Sequence, residues 1–381
     1  MKIAVVYDWI DRWGGVERLL LELNRIFPQA DFFTSAVDFK KAPWAKRLKI
    51  KTSFLQKLPD FIKKSRIISL FFYPFAFESL QFDSYDVVIS VTSSFAKSII
   101  TKPQTKHICI LLTPSRYLLL YSHPFESNLF RFVLRPYVTF LRRWDRIAAQ
   151  RPDEIVTISE EVSERCNTYY HRKSKVIYPP FNLEYWDGIK NNLSDQLKLL
   201  PAGWENYYLV VSRLEPYKKV NLAIEAFNLS PQLKLVVVGK GSMLTNLQKL
   251  ALKNIIFIHD INDRQLAYLY THAQALIMMQ EEDFGYTAVE AQFFGCPVIA
   301  YGKGGVKETV VNGKTGLFFN KQSIESFRET LERYDRISYN FKHNTKTLGS
   351  AQTKKFDRNL FERKIKDIVT NSQQDLLSHY L

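Results

Sequence analysis

The sequence predicts an α/β protein made of two doubly wound domains with a ligand-binding cleft between them. The chain has 381 residues, which fits two domains. Both halves open with an apolar strand that is followed by a turn and a helix, at residues 2–7 and again from residue 207. From residue 207 onward strand and helix patterns alternate strictly, as is typical of a parallel sheet. We expect domains at residues 1–182 and 183–352, and a C-terminal helix within 353–381 that can cross back to the first domain.

The first half begins with the strand at residues 2–7 and a turn at Gly14-Gly15. The next segment has one apolar face at helical spacing, formed by Val16, Leu19, Leu20, Leu23 and Phe27. Further strands are predicted at residues 31–35, 87–91, 106–111 and 154–158. A long helix rich in arginine and aromatic residues is predicted at 129–150.

The second half is predicted from four strand–helix pairs and two further strands. In order, they are "YYLVVSRL", "VNLAIEAFNLS", "KLVVVG", "MLTNLQKLAL", "IIFIH", "DRQLAYLYTHA", "ALIMM", "TAVEAQFFG", "PVIAY" and "TGLFF". Residues 179–204 have few strong patterns and read as the connection between the domains. A final helix is predicted at residues 357–369.

The chain is basic, with a formal net charge of +15. Residues 1–180 hold 28 Lys and Arg against 17 Asp and Glu, so most of the excess lies in the first half. Such a surface suits nucleic acid, anionic lipid or a phosphorylated ligand, although it can also serve solubility alone. The three cysteines are scattered, which favours a reducing cytoplasm and argues against a disulfide framework or a zinc site.

No segment is expected to cross a membrane. The longest apolar stretch, residues 67–77, contains Pro74 and is far shorter than the roughly 20 residues that a spanning helix needs. The opening run "MKIAVVYDWI" is too short for a signal peptide. We therefore expect a cytoplasmic protein, which could still rest on a membrane surface.

The segment "QEEDFGYTAVEA" places acidic residues at the carboxyl end of a predicted strand, where open α/β sheets bind ligands. Gly285 lets the backbone approach a ligand, and the amides of residues 286–288 would favour an anion there. Glu290 lies one helical turn further on. Alternatively, Glu282 and Asp283 could be N-cap carboxylates, which leaves Glu290 in an apolar helix unexplained.

A second loop, "VSRLEPYKKVN", ends another strand and contains Arg213 and Lys218. Two cations beside a helix start predict a metal-free diphosphate site, although surface solvation would explain either residue alone. The following "VVGKG" lacks the third glycine of a dinucleotide motif, so Gly239 is interpreted as part of a tight turn beside a nucleotide. The seven histidines are dispersed and predict surface or capping roles. Asp8 and Asp11, near the first glycine turn, could face the cleft or the surface.

These motifs together resemble the retaining glycosyltransferases of family 4, the group 1 nucleotide-sugar transferases. The likeness covers residues 2–368 and rests on Gly14-Gly15-x-Glu17, Arg213 with Lys218, the E-x7-E pair of Glu282 and Glu290, "GCPVIAYGKGGVKETVVNGKTG" and "VIYPP". Within that family the chain looks most like bacterial mannosyltransferases that build O-antigen and other surface polysaccharides. The closer likeness lies in "KTSFLQKLP", "YDVVISVTSSFAKSI", "TPSRYLLLY", "VSRLEPYKKVNLAIEAFN" and "EDFGYTAVEA".

The resemblance implies the GT-B fold, two facing Rossmann-like domains, and a retaining hexosyltransferase of the EC 2.4.1 type. It implies transfer of mannose from GDP-mannose to a lipid-linked glycan in lipopolysaccharide or surface polysaccharide synthesis, without a metal or cofactor. A same-face attack, in which the departing phosphate takes the acceptor proton, is favoured because no carboxylate nucleophile can be identified.

The resemblance also implies roles for individual residues. The diphosphate and the catalytic step would depend on Arg213, Lys218 and Glu282, with Glu282 also bonding donor-sugar hydroxyls and Glu290 bonding the ribose. Further donor contacts would come from Gly14, Gly15, Gly239, Ile261, Phe284, Gly285 and Tyr286. Relatives often carry histidine where this chain has Leu112, so Thr113 and Arg116 are the acceptor-side candidates.

The predicted partners are the nucleotide sugar, a lipid-linked or other glycan acceptor and an anionic membrane, but not nucleic acid. Lys63, Lys64 and Arg66 precede the apolar segment "IISLFFYPFAF", a pattern suited to lying on the inner face of the cytoplasmic membrane. The same pattern also fits an ordinary core helix with a charged edge.

Three other functions remain open at this point. A GT-B-type nucleotide-sugar epimerase would need catalytic histidines and acids, and it would convert the donor without transfer to an acceptor. A UDP-sugar-dependent transferase would differ only in donor choice. A non-catalytic basic module would bind nucleic acid or membrane; it lacks an RNA-type aromatic-basic motif, and Glu282 with Glu290 would repel phosphate.

Overall fold

A computed structural model describes residues 1–64, 66–116, 118, 128–193 and 199–378; the side chains of residues 64, 66, 67, 128–134 and 371–378 are not described. The chain divides into two compact units, Met1–Pro180 with Phe361–Leu381, and Phe181–Leu360. Each unit contains one sheet in which all described strand pairs are parallel. The predicted α/β class with two doubly wound sheets is therefore confirmed.

The sheet of the first unit has the order β3-β2-β1-β4-β5-β6-β7. Its strands are β1 (Ile3–Tyr7), β2 (Asp31–Thr34), β3 (Ile50–Thr52), β4 (Val87–Thr92), β5 (Lys106–Leu111), β6 (Glu154–Thr157) and β7 (Lys175–Val176). Its helices are α1 (Gly15–Ile26), α2 (Asp60–Lys64), α3 (Arg66–Ser69), α4 (Tyr73–Glu78), α5 (Asn128–Ala148) and α6 (Glu160–Tyr170). The chain reverses its direction of winding between β1 and β4, which creates a topological switch point at their carboxyl ends.

The sheet of the second unit has the order β10-β9-β8-β11-β12-β13. Its strands are β8 (Tyr207–Val211), β9 (Lys234–Val238), β10 (Ile255–Ile258), β11 (Leu276–Met278), β12 (Val298–Tyr301) and β13 (Gly316–Phe319). Its helices are α7 (Leu183–Asn191), α8 (Val220–Asn228), α9 (Leu244–Leu250), α10 (Asp263–His272), α11 (Tyr286–Phe293), α12 (Val306–Thr309) and α13 (Ile324–Thr353). Here the switch point lies between β8 and β11. The last helix of the chain is α14 (Arg358–Ser378).

The strands near each switch point are apolar and buried because helices cover the sheet on both faces. Every residue of β1 and β4 is buried. In the second unit, Ile224 and Phe227 of α8 pack in one apolar cluster with Val237 of β9 and with Phe327 and Tyr334 of α13. This packing fixes the strand ends, and therefore the loops that follow them.

Several elements depart from the sequence prediction. The 30-residue helix α13 was not predicted, because polar residues interrupt its apolar face and its backbone leaves helical geometry at Ile337 (φ −129°). Helix α7 lies in the predicted connection, where the Asn182 side chain caps it by accepting from the Tyr185 amide at 3.2 Å. Helix α14 extends beyond the predicted end at residue 369. Strands β3 and β7 were missed because they have only three and two residues.

None of the helices in the described part of the chain combines the length and the apolarity that a membrane span requires.

Asp8 anchors the switch point of the first unit. Its carboxylate is fully buried and accepts hydrogen bonds from the Thr92 hydroxyl and the Phe95 and Ala96 amides, each at 2.8 Å, and from the Ser93 amide at 2.9 Å. Asp8 thus ties the end of β1 to the loop after β4. Asp11, by contrast, pairs with the neighbouring Arg12.

Candidate functional site

Two loops of the second unit meet at its switch point. We call residues 212–219, after β8, the Arg213 loop, and residues 279–285, after β11, the Glu282 loop. The Lys218 ammonium lies 2.5 Å from Glu282 Oε1, and the buried Gln280 amide donates to the same oxygen at 2.6 Å. Because β8 and β11 are parallel neighbours, their carboxyl ends bring the two loops together.

Tyr217 lies between the two cations of the Arg213 loop. Arg213 donates to the Tyr217 hydroxyl at 2.6 Å. The Arg213 guanidinium and the Lys218 ammonium lie 5.9 and 5.4 Å from the Tyr217 ring centre, within cation–π range. The sequence analysis missed Tyr217, although its place in the same turn as both cations was an available signal. The structure thus gathers Arg213 and Lys218 around one aromatic ring, and Lys218 in turn contacts Glu282.

Lys218 can bind an anion while it remains paired with Glu282. An ammonium group has three N–H donors, and the contact with Glu282 uses one of them. The Lys218 side chain is 12% exposed, so an anion bound to it would be partly shielded from water, where electrostatic interactions are stronger.

The Glu282 loop leads into α11 through Gly285, which has the left-handed backbone that favours glycine (φ +94°). The N-cap of this helix is Gly285 itself, so neither Glu282 nor Asp283 occupies the N-cap position that the alternative assigned to them. The Ala288 amide donates to the Gly285 carbonyl at 3.0 Å. The backbone amides of residues 286–288 were expected to face an anion. The amide of Ala288 is instead engaged in a hydrogen bond within the first turn of the helix.

Glu290 is buried and is held by the neighbouring helix α10. The residue is 2% exposed, and its carboxylate accepts a hydrogen bond from the Tyr270 hydroxyl at 3.0 Å. Glu290 lies one turn into α11, as the sequence analysis expected. Its contact with Tyr270 could be identified only from the tertiary structure. Phe284, also buried, packs edge-on against Tyr286 and Phe356.

Two pairs of glycines fix the positions of the two loops. A β-carbon at Gly239 would lie 1.9 Å from the Ser212 carbonyl oxygen, and one at Gly241 would lie 2.3 Å from that of Leu214. On the other loop, a β-carbon at Gly304 would lie 2.2 Å from the Glu282 carbonyl oxygen, and Gly305 approaches Asp283 as closely. The sequence analysis interpreted Gly239 as part of a tight turn beside a nucleotide. In the structure, its close packing against Ser212 holds the Arg213 loop in position.

We expect Gly304→Ala to destabilise the second unit more than Gly313→Ala, its matched control. Both glycines have left-handed backbones, with φ of +80° and +78°, so both alanines carry backbone strain of about 1–3 kcal/mol. Only at Gly304 does the new methyl group also meet the Glu282 backbone, since nothing lies within 4 Å at Gly313. Urea denaturation of both variants measures the difference in the free energy of unfolding.

The same pair of variants tests the effect on the Glu282 loop. Gly304→Ala should weaken nucleotide binding, because the Glu282 backbone must move, whereas Gly313→Ala should leave it unchanged. Equal losses of stability and of binding in the two variants would contradict a role for the close approach at Gly304.

The loop near Ile261 contains a small charged cluster. Asp260 pairs with Lys240 at 2.5 Å and with His259 at 3.0 Å. Lys240, followed by His259, lowers the pKa of the Asp260 carboxyl from its ordinary value. Gly239 connects to this region because its amide donates to the Ile258 carbonyl at 3.1 Å. Ile261 and Gly239 therefore lie at the ends of the neighbouring strands β10 and β9.

In the first unit, Gly14 is the N-cap of α1 and Gly15 is its first residue. Thr113 is buried, with no hydrogen-bond partner for its hydroxyl among the described residues, and Leu112 beside it is also buried. Arg116 is partly exposed. The structure thus places Thr113 and Leu112 inside the unit, and only Arg116 of these three reaches solvent.

Of the predicted membrane residues, Lys63 pairs with Asp60 at 3.0 Å and donates to the Gln56 carbonyl at 3.3 Å. The side chains of Lys64 and Arg66 lie outside the described part of the structure.

His107 departs from the expected surface or capping role of the histidines. It is fully buried, with Nε2 2.8 Å from the Ser90 hydroxyl. Burial, assisted by Arg151 and Arg172, lowers its pKa to about 3, so it is neutral at physiological pH. The side chain is part of the packed interior of the first unit.

Comparison with solved structures decides the fold. The structure of Anabaena Alr3699/HepE in complex with UDP and glucose matches with a TM-score of 0.70 at 18% identity, covering 97% of this chain and 99% of that one. The sucrose-phosphate synthase of Thermosynechococcus elongatus matches with a TM-score of 0.72 at 16% identity, covering 98% and 100%. The chain has the GT-B fold.

Within this GT-B chain, residues 195–343 match the family model described as glycosyl transferases group 1. The matched part contains both the Arg213 loop and the Glu282 loop. Alpha-1,3/1,6-mannosyltransferase ALG2 of Dictyostelium discoideum is 30% identical over 193 residues, which cover 40% of this chain and 45% of that protein. The human ALG2 is 27% identical over 224 residues, 52% and 53% of the two chains. The chain thus spans about half the length of these relatives.

Proposed function

We propose that the protein is a retaining, metal-independent hexosyltransferase that takes its sugar from a nucleotide sugar. The contact between Lys218 and Glu282 carries this proposal, because it joins a cation suited to a diphosphate to a carboxylate suited to sugar hydroxyls. The match of the same region to the group 1 glycosyl transferases supports it.

In the proposed reaction the bond between the anomeric carbon and the β-phosphate oxygen breaks, and the electron pair leaves with the phosphate. Arg213, Lys218 and the N-terminus of α11 stabilise the charge that grows there. The acceptor hydroxyl oxygen forms the new bond on the same face of the sugar. Its proton moves to an oxygen of the departing phosphate, so that no enzyme carboxylate has to act as a nucleophile.

The remaining parts of the donor are assigned to the same unit. Glu282 accepts from hydroxyls of the transferred sugar while Lys218 holds its carboxylate in place. Glu290 bonds the ribose hydroxyls, and its contact with Tyr270 fixes the orientation of the carboxylate. Phe284, Gly285 and Tyr286 contact sugar and phosphate through their backbone, while Gly239 and Ile261 lie beside the base.

The proposed donor is GDP-mannose, and the names of the ALG2 mannosyltransferase relatives support the choice of mannose as its sugar. Calorimetry with GDP-mannose, UDP-glucose and UDP-N-acetylglucosamine tests the choice, followed by product analysis with a lipid-linked glycan. We expect the tightest binding for GDP-mannose and net transfer of mannose. Donor epimerisation without transfer would favour the epimerase instead, and binding of none of the three would contradict the proposal.

We further propose that the acceptor is linked to a lipid and that the first unit lies on an anionic membrane. In the same part of the sequence as the basic residues Lys57 and Lys63, the residues Phe61 and Phe75 are 66% and 63% exposed. Exposed aromatic rings beside cations are the pattern of a surface that rests in the headgroup region of a bilayer.

Charge reversal at Lys57 and Lys63 should weaken binding to anionic vesicles by about 30-fold or more, since each lysine near such a surface contributes about 1 kcal/mol and about 1.4 kcal/mol corresponds to a factor of ten. The matched control is the double variant Lys249→Glu and Lys314→Glu, which reverses two exposed lysines of the second unit. It should leave vesicle binding unchanged. Equal binding by both double variants, or no sedimentation of the wild type, would refute the membrane proposal.

A further inference from the structure

The first unit presents an exposed pair of tryptophans that the proposed donor site does not use. Trp13, in the loop after β1, is 50% exposed. Trp44, in the short helix Pro43–Arg47, lies with its ring centre 5.8 Å from that of Trp13 at an interplanar angle of 69°. The exposed half of Trp13, packed edge-on against Trp44, therefore offers a ligand a large apolar surface.

The pair is held in a fixed arrangement. The Trp44 indole donates to the Arg12 carbonyl at 2.9 Å, which ties it to the loop that bears Trp13. Arg12, in turn, makes two parallel bonds to the Asp11 carboxylate, at 2.8 and 3.1 Å. A rigid aromatic surface loses little conformational entropy when a ligand binds, and therefore binds more tightly than a mobile one.

The surroundings of the pair are polar: Asp11 and Arg12 precede Trp13, and the short helix of Trp44 also carries the basic Lys46 and Arg47. Asp11 and Arg12 neutralise each other, and their side chains remain partly exposed, at 26% and 45%. The Asp11 carboxylate offers hydrogen-bond acceptors and the Arg12 guanidinium offers donors, and both groups are planar and close in sequence to the apolar ring of Trp13. A pyranose has this same division: its C–H groups form an apolar face that packs on indole, while its hydroxyls at the rim bond to planar polar side chains.

The position of the pair also favours a ligand related to the reaction. Trp13 immediately precedes Gly14, the N-cap of α1, at the carboxyl end of β1. The switch point of this unit lies at the same strand end, between β1 and β4. Carboxyl ends at a switch point are where open α/β sheets bind their ligands.

We propose that Trp13 and Trp44, with Asp11 and Arg12, form a binding site for a pyranose ring of the glycan acceptor. The identification of this sugar as part of the acceptor rests on the proposed function. The binding of a sugar ring at the pair does not depend on it. Trp13 supplies the stacking surface, and Trp44 packs edge-on against Trp13 and holds it. The carboxylate and guanidinium bond to the hydroxyls of the sugar.

Saturation-transfer NMR titrations with mannotriose, maltotriose and chitotriose test the site in the full-length protein without any need for turnover. We expect at least one trisaccharide to bind and Trp13→Ala to weaken it by about tenfold or more, as truncation of a central tryptophan in a binding site does. Trp13→Phe should recover part of the affinity. Trp204→Ala, at a partly exposed tryptophan of the second unit, is the matched control and should bind as the wild type does.

Nucleotide binding, measured in the same samples by calorimetry with GDP and UDP, separates this inference from the proposed function. Unchanged nucleotide binding in Trp13→Ala together with lost trisaccharide binding supports the site. Failure of the wild type to bind any of the three trisaccharides, or equal affinity in Trp13→Ala, would overturn it even if nucleotides bind. Loss of vesicle binding in Trp13→Ala with trisaccharide affinity unchanged would overturn it too, and would assign the pair to a lipid surface.

Discussion

Lys218→Ala should lower kcat for hexosyl transfer by about 100-fold or more, which is the usual loss when one group that stabilises a developing oxyanion is removed. The ammonium is proposed to contact the β-phosphate, where charge grows as the sugar departs. Its removal also leaves the Glu282 carboxylate, only 21% exposed, without its counter-charge. Steady-state kinetics with the donor identified by calorimetry gives kcat and KM separately.

Two comparisons make the Lys218 result specific. Lys249→Ala removes an exposed lysine of α9 in the same unit and should leave kcat unchanged. Lys218→Arg keeps the charge and should retain more activity than Lys218→Ala, although its planar fork cannot reproduce the contacts of an ammonium. A Lys218→Ala enzyme with wild-type kcat would remove Lys218 from the reaction, whatever its effect on KM.

Asp8→Ala should destabilise the first unit by roughly 4 kcal/mol, because a buried carboxylate that accepts four hydrogen bonds is lost. The Thr92 hydroxyl and three backbone amides would then lack their acceptor inside the protein. Natural domains are stable by only about 5–15 kcal/mol, so the change is large for one residue. Urea denaturation followed by circular dichroism measures the free energy of unfolding.

Asp83→Ala is the control for Asp8, since Asp83 is an exposed aspartate of the same unit that pairs with Lys102 at 3.3 Å on the surface. Such surface pairs contribute at most about 1 kcal/mol, so this variant should unfold close to the wild type. Asp8→Asn should fall between the two, because an amide keeps one accepting oxygen. Similar stability of Asp8→Ala and Asp83→Ala would show that the four contacts do not hold the loop after β4.

Much of the architecture could be predicted because local patterns decide it. The strands β1, β8 and β9 are short β-branched runs, and each is followed by a turn, so their period and length identify them without any partner. Helix α13 was missed although its buried residues Phe327, Leu331 and Tyr334 recur at helical spacing, because polar residues fill most of the segment and the helical backbone is interrupted at Ile337. Its position depends on packing against the sheet, which single-sequence periodicity does not contain.

The candidate site divides in the same way. Arg213, Lys218, Glu282 and Glu290 could be named from the sequence because each follows a predicted strand at the edge where ligands bind. Their partners could not be named. Tyr217 and Tyr270 contact them across loops and helices, and the pairing of Lys218 with Glu282 spans 64 positions of the chain.

By itself, the sequence determined the α/β class, the order of the elements and the positions along the chain where charged residues follow strands, since these depend on neighbours within one or two turns. Only the tertiary structure decided which of those positions meet. The strand order places β8 beside β11 and β1 beside β4, and it thereby brings Lys218 to Glu282 and Asp8 to the loop after β4. Side-chain contacts of this kind follow from how strands are arranged in the sheet, which no local pattern specifies.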